Sequence, residues 1–288
     1  MRLGQRKCLL RQLVILLVLA LAQISSARAG ERLVWGVIDF PPFQIVGGPN
    51  RDTGSFDGLL EELTRRMPEY RHDIIPMSFA RREQEFLEGS KLCTPGVFRT
   101  PEREKQLTFS RPSLIHLDNR LVFLSSKAKV LGGDEPADLE ALFKNQRLLA
   151  GVFSSRSFAP NIDDAIKRHA GQPNLIIRAI KTPQMFELLL RGEIDYTIMF
   201  PHEAAYIARV YGMENAITVR KIKGTPPYCF TYTACTKGAW GENMVAKVDL
   251  ILEQIQRDPK YQAYSERWYV NSDKATIRAY FQKKLRSK

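Results

Sequence analysis

The feature that most limits the fold is an alternation of two hydrophobic periods. Residues 33–38 (LVWGVI) form an unbroken apolar run of strand length. A polar turn region at 47–54 follows, and then Phe56, Leu59, Leu60, Leu63 and Met67 recur at helical spacing behind Ser55, a good N-cap. Residues 73–78 read as a second strand and 81–87 as a short helix ended by Gly89. Leu92 and Cys93 then lead into a third strand. Strand–helix–strand–helix order selects a parallel sheet covered by helices. The pattern then repeats. Residues 120–126 (RLVFLSS) read as a strand leading out of the first unit, 138–144 as a helix, 148–153 as a strand, and a helix includes 162–169. A strand at 175–180 precedes a helix that opens at Thr182-Pro183, with Met185, Leu188 and Leu189 on its core face and Gly192 at its end. Residues 194–200 form the next strand, and 228–236 (YCFTYTACT) a strand returning to the first unit. Helices at 244–256, 261–269 and 272–285 close the chain, the last basic with Ile277, Tyr280, Phe281 and Leu285 on one face.

The N-terminus reads as a secretory signal over 1–29. Arg2, Arg6, Lys7 and Arg11 form a positive region, 13–22 is apolar but short for a bilayer span, and Ala27-Arg28-Ala29 is a cleavage site before Gly30. Cys8 precedes the apolar run and so is not a lipid-attachment cysteine. Removing 29 of 288 residues leaves 259, and removing five basic residues takes the net charge from +12 to +7. For an exported chain without a basic-aromatic motif, that excess fits acidic ligands or an anionic surface better than nucleic acid. Cys93, Cys229 and Cys235 remain, so at most one intramolecular disulfide forms, with the pairing left open. Their spacing is not that of a zinc site, and no metal or cofactor is expected.

Chemistry concentrates in residues 96–112, GVFRTPEREKQLTFSRP. Thr100 before Pro101 is a helix start: a hydroxyl N-cap, then proline where its missing N–H costs nothing. Arg103 falls in that first turn, beside free backbone N–H groups, where a positive charge suits an anion site better than it suits the helix dipole; a solvated charged turn is the plainer reading of the same residues. Thr-Pro-Glu-Arg followed by Phe109-Ser110-Arg111-Pro112 resembles the signature of bacterial periplasmic solute-binding proteins of the polar amino-acid type, family 3. Weaker similarity runs from about 33 to 269.

The resemblance implies a two-lobed α/β periplasmic-binding-protein fold. Each lobe would hold a mostly parallel sheet flanked by helices, with two hinge crossovers. The expected layout is lobe 1 over 30–121, lobe 2 over 122–235, and lobe 1 again over 236–288. By the same resemblance Arg103 grips a ligand carboxylate, with Thr100 beside it. Phe40, before Pro41-Pro42, stacks on the ligand, and the turn with Ser154, Arg156 and Ser157 closes on the carboxylate from lobe 2. From the residues alone, Phe40 and Phe43 also read as core, and the serines as a plain capped turn. The chain departs from the family at Phe200, where an aspartate usually binds the ligand's ammonium, and at Phe98, where a small hydroxyl residue is common. His202 or Glu203 would have to compensate, and a solvated pair is the plainer reading of them.

The function expected is capture of a small carboxylate-bearing solute, anionic or zwitterionic, by a periplasmic monomer for ABC-type import. Two rival readings stand beside it. One is a secreted enzyme on the same scaffold, resembling dehydratases of cyclic carboxylates, with His202 or Glu203 as proton donor. The other is a ligand sensor. The chain has no G-x-S-x-G, no H-E-x-x-H and no P-loop.

Overall fold

The computed structural model describes residues 30–154 and 156–286. The expected secretory signal, and Ser155 of the expected anion-binding turn, lie outside these residues.

The first half folds as the hydrophobic periods require. Strand β1 (Glu31–Val37) leads to helix α1 (Ser55–Arg66), β2 (Tyr70–Pro76), α2 (Phe79–Leu87) and β3 (Leu92–Val97). The short α3 (Pro101–Glu104) and the long β4 (Leu107–Leu117) follow. The chain then enters β5 (Arg120–Leu124), α4 (Ala128–Leu131), α5 (Leu139–Lys144), β6 (Ala150–Phe153), α6 (Pro160–His169), β7 (Leu175–Arg178), α7 (Thr182–Leu190), β8 (Tyr196–Met199), α8 (Pro201–Val210) and β9 (Ile217–Arg220). It ends through β10 (Tyr228–Thr236), α9 (Ala239–Ile255), α10 (Pro259–Glu266) and α11 (Asn271–Phe281).

Two five-stranded sheets result, ordered β2-β1-β3-β10-β4 and β7-β6-β8-β5-β9. In each, three strands run parallel and the fourth, which has crossed from the other lobe, is antiparallel. The two sheets are therefore the same design used twice. Alternation along β1 sends Leu33, Trp35 and Val37 into a core with α1, α9, α10 and α11, while Val34 packs on the opposite face. Ile277, Phe281 and Leu285 join that first core, so the basic C-terminal helix docks on lobe 1.

The crossovers differ from the expected boundaries. Arg120 and Leu121 already pair in the second sheet, so the outward crossing is Asp118-Asn119. Lys221, Lys223 and Thr225 still bond Ala137 and Asn161 of lobe 2, while Tyr228–Thr236 pairs with β3 and β4, so the return lies at Pro226-Pro227 rather than at 235. An apolar run announces a strand, but not which sheet will accept its hydrogen bonds. Two strands also escape the hydrophobic pattern. β4 contains Pro112, which has no N–H to give a ladder, and its pairing with β10 shifts register there. β9 is a four-residue edge strand.

Cys93 and Cys235 face each other across β3 and β10 and form the disulfide. It closes a sequence separation of 142 residues that contains all of lobe 2. Cys229 keeps a free, half-buried thiol, and burial pushes its pKa well up.

Candidate functional site

The lobes meet at the C-terminal ends of β1, β3, β6 and β8, where open α/β sheets bind ligands. Phe40 follows β1, Phe98 follows β3, Arg156 and Ser157 follow β6, and Phe200 follows β8. All five line one cavity of about 60 Å³ between the lobes, together with Arg103. By the same measure a single water needs roughly 10–15 Å³, so the cavity has room for several waters.

Arg103 comes from α3, and the expected start of that helix is present. The Thr100 hydroxyl accepts a hydrogen bond from the Arg103 backbone N–H at 3.3 Å, with Pro101 in the first turn. The guanidinium turns back to donate to the Phe98 carbonyl at 3.1 Å, and its Nη2 lies 4.0 Å from Glu83. Thr100 thus shapes the turn and does not line the cavity.

Phe40 stacks on Phe43 at 4.8 Å, and Phe98 stacks on Phe200 at 6.0 Å, so the second pair closes across the lobes. Phe43 is a buried core residue, and both it and Phe40 line the cavity. Gly96 forms part of the wall, where a Cβ would run into the Phe56 ring.

The lobe 2 turn is built differently from the expected anion nest. Helix α6 begins only at Pro160, and Asp163 takes the place expected of a ligand carboxylate. It accepts from the Ser157 hydroxyl and from the Phe158 N–H, both at 2.9 Å. Ser154 is exposed and away from the cavity. Arg156 is held rather than free. Its guanidinium makes a forked pair with Glu203 at 2.9 and 2.8 Å and donates to the Thr182 hydroxyl at 2.7 Å. Its Cζ sits 3.7 Å from the Phe153 ring centre and 4.5 Å from that of Phe40. The Thr182 hydroxyl also donates to Glu203. Thr182, expected as the N-cap of α7, is instead its first helical residue behind Lys181. At α1, likewise, Gly54 precedes Ser55 as the cap, and the Asp57 carboxylate accepts from the Gly54 N–H at 2.8 Å.

His202 and Glu203 are not the solvated pair that their letters suggest. Glu203 is fully buried against Arg156. His202 is buried between the lobes, 4.5 Å from both Phe43 and Tyr269 and stacked on His116 at 5.4 Å. Neither lines the cavity, so neither replaces the aspartate missing at Phe200.

Arg82 is the residue the sequence reading missed. It is 3% exposed yet lines the cavity from α2. Its Nη2 donates to Glu83 at 3.0 Å, its Nη1 reaches the Thr94 hydroxyl at 3.4 Å, and its Nε has no partner. Burial pushes its pKa down; Glu83 works against that shift and Arg103 adds to it. A signal was available: Phe79, Arg82 and Phe86 recur at i, i+3 and i+7, which puts the arginine on the apolar face. Thr231 of β10 and Phe56 also line the cavity.

Among the described residues no cluster of His, Cys, Asp or Glu side chains suits a metal ion, and no helix is long and apolar enough to cross a membrane.

Two α/β lobes, joined by two crossovers and closed on a cationic, phenylalanine-lined cleft, define a hinged binding protein. The chain belongs to the bacterial extracellular solute-binding proteins, family 3, whose model matches residues 33–271. No curated protein matches the sequence. Solved structures share the fold at low identity. An amino acid ABC transporter substrate-binding protein from Streptococcus pneumoniae, bound to L-arginine, has a TM-score of 0.63 at 18% identity, over 86% of this chain and 96% of that one. A histidine kinase sensor domain has a TM-score of 0.64 at 14% identity, over 84% and 97%. An ancestral amino acid-binding protein, a precursor of cyclohexadienyl dehydratase, has a TM-score of 0.62 at 19% identity, over 84% and 96%.

Proposed function

We propose that this protein is exported to the periplasm and captures a small carboxylate-bearing solute between its lobes, for delivery to an ABC-type importer. The observation that carries the reading is the Arg103 guanidinium, anchored by its own turn to the Phe98 carbonyl at the wall of an apolar interlobe cavity. A guanidinium offers two parallel N–H donors to one carboxylate, and a cleft that closes shields the pair from water. Family membership supports solute binding, and the import role is carried over from relatives of that kind. Binding is favoured over catalysis because the two candidate proton donors, His202 and Glu203, lie behind the cavity wall rather than in it.

The test is calorimetric titration of wild type, Arg103→Ala and Arg103→Lys with a solute found by thermal-shift screening of amino acids and organic acids. Stranding the ligand carboxylate costs about 2–5 kcal/mol. Kd then rises roughly 30-fold to several-thousand-fold in Arg103→Ala, with partial recovery in Arg103→Lys. A folded Arg103→Ala protein that binds within threefold of wild type overturns the reading.

A further inference from the structure

The charges around the cavity do not balance. Arg82 and Arg103 both line it from lobe 1, and a single carboxylate, Glu83, serves them at 3.0 and 4.0 Å. Arg82 is almost wholly buried, and its Nε is left without an acceptor. A buried guanidinium N–H without a partner costs more than any other neutral or surface donor would, so an anion arriving there is favoured twice, by charge and by hydrogen bond. The third arginine, Arg156, is already matched by Glu203.

The acidic side is equally informative. Among the described residues no Asp or Glu side chain lines the cavity. The Glu203 carboxylate is spent on Arg156 and Thr182, and Phe200 stands at the end of β8 where a carboxylate could have met an ammonium. An α-amino group brought into this site would lose its water, meet no carboxylate, and face guanidinium groups from both lobes. What the remaining wall offers is ring surface, including Phe40, Phe79 and Phe98. Flat apolar groups pack on such rings by offset or edge contacts.

We infer that Arg82 is a second ligand-binding arginine beside Arg103, and that the site takes an aromatic carboxylate carrying no amino group. This rests on the reading of the cleft as the solute site. It is narrower than that reading, since a zwitterionic amino acid would satisfy the one and not the other.

The experiment compares acids with their amino counterparts on the intact protein. Benzoate, phenylacetate, 3-phenylpropionate and indole-3-acetate are titrated calorimetrically beside L-phenylalanine, L-tyrosine and L-tryptophan, on wild type, Arg82→Gln and Arg103→Ala. 3-Phenylpropionate and L-phenylalanine differ only by the ammonium, so that pair needs no variant. The expected result is at least one acid binding tenfold or more tighter than every amino acid, and weakening at least tenfold in Arg82→Gln. Should Arg82→Gln fail to fold, the acid-against-amino-acid comparison on wild type decides. Amino acids binding as tightly as the acids, with loss in Arg103→Ala, overturn this inference and leave the solute-binding reading standing. A folded Arg82→Gln protein with unchanged affinity for the acid overturns the role of Arg82. Binding by none of the seven compounds overturns the aromatic-carboxylate inference, while the solute-binding reading stands or falls by the Arg103 titration.

Discussion

His116 and His202 meet ring to ring at 5.4 Å, one from each lobe, in a pocket of Phe43, Phe56, Phe200 and Tyr269. His116 bonds the Thr231 hydroxyl through Nε2 at 3.1 Å and leaves Nδ1 unpartnered, while both His202 nitrogens are unpartnered. Burial pulls the His116 pKa down to about 3 and that of His202 well below its ordinary value, with His116 adding to the second shift. The unfolded chain takes up these protons from about pH 6.5 downward and the native state does not, so the unfolded state binds more protons below that point. Stability is therefore intact at pH 7 and falls as the pH drops from about 6.5, at about 1.4 kcal/mol per pH unit for each ring. Urea unfolding midpoints between pH 7 and 5 measure the slope. In His202→Phe, which suits the aromatic surroundings, the slope should fall by about half, and an unaltered slope would assign the acid sensitivity to other groups.

At the scale of elements, one buried cluster ties the turn after β6 to the starts of α7 and α8. Arg156, Thr182 and Glu203 come from three separate segments and satisfy one another. Their side chains leave little for water, with Glu203 fully buried and Arg156 10% exposed. Removing one partner of a buried pair costs more than the pair itself contributes, because the other charge stays behind. Glu203→Ala is expected to lose about 3–5 kcal/mol of stability, measured by urea titration. A loss below 1 kcal/mol would mean that water reaches Arg156 and replaces its partner. In lobe 1 the disulfide plays a comparable part. It links β3 to β10, so the two chain segments flanking lobe 2 stay joined whatever lobe 2 does.

For the whole molecule, the two crossovers Asp118-Asn119 and Pro226-Pro227 are the covalent links between the lobes. The structure has them closed. Phe98 stacks on Phe200, Tyr206 meets the Trp268 edge at 4.8 Å, and Lys181 reaches Asp39 at 3.8 Å across the rim. The cavity lies between lobes that touch at its rim, so entry of a solute requires the lobes to part. Ligand-free protein in solution should populate the open form, and saturating solute should shift it to the closed one. Small-angle scattering then gives a smaller radius of gyration with ligand. An unchanged curve in the presence of ligand shown to be bound would reject closure as the response.

The alternation of periods at 33–38, 55–67 and beyond, with its repetition, already contains the α/β class and the doubled unit. These are local properties, set by which face of one element is apolar. The turn at Thr100-Pro101 and the place of Arg103 within it are likewise local, because a cap bonds to a backbone group three residues on. Position in space is another matter. Arg81 and Arg82 are adjacent and alike in letter, yet the first pairs with Glu85 near the surface while the second is buried in the cleft. Glu203 reads as a surface charge until Arg156, 47 residues earlier, is brought beside it. Cys93 had two candidate partners, and the pairing of β3 with β10 chose Cys235. A charge or a thiol has the same chemistry wherever it falls in the chain. Whether it is solvated, matched or left wanting a partner is decided by segments distant in sequence, and those meet only when both lobes have folded.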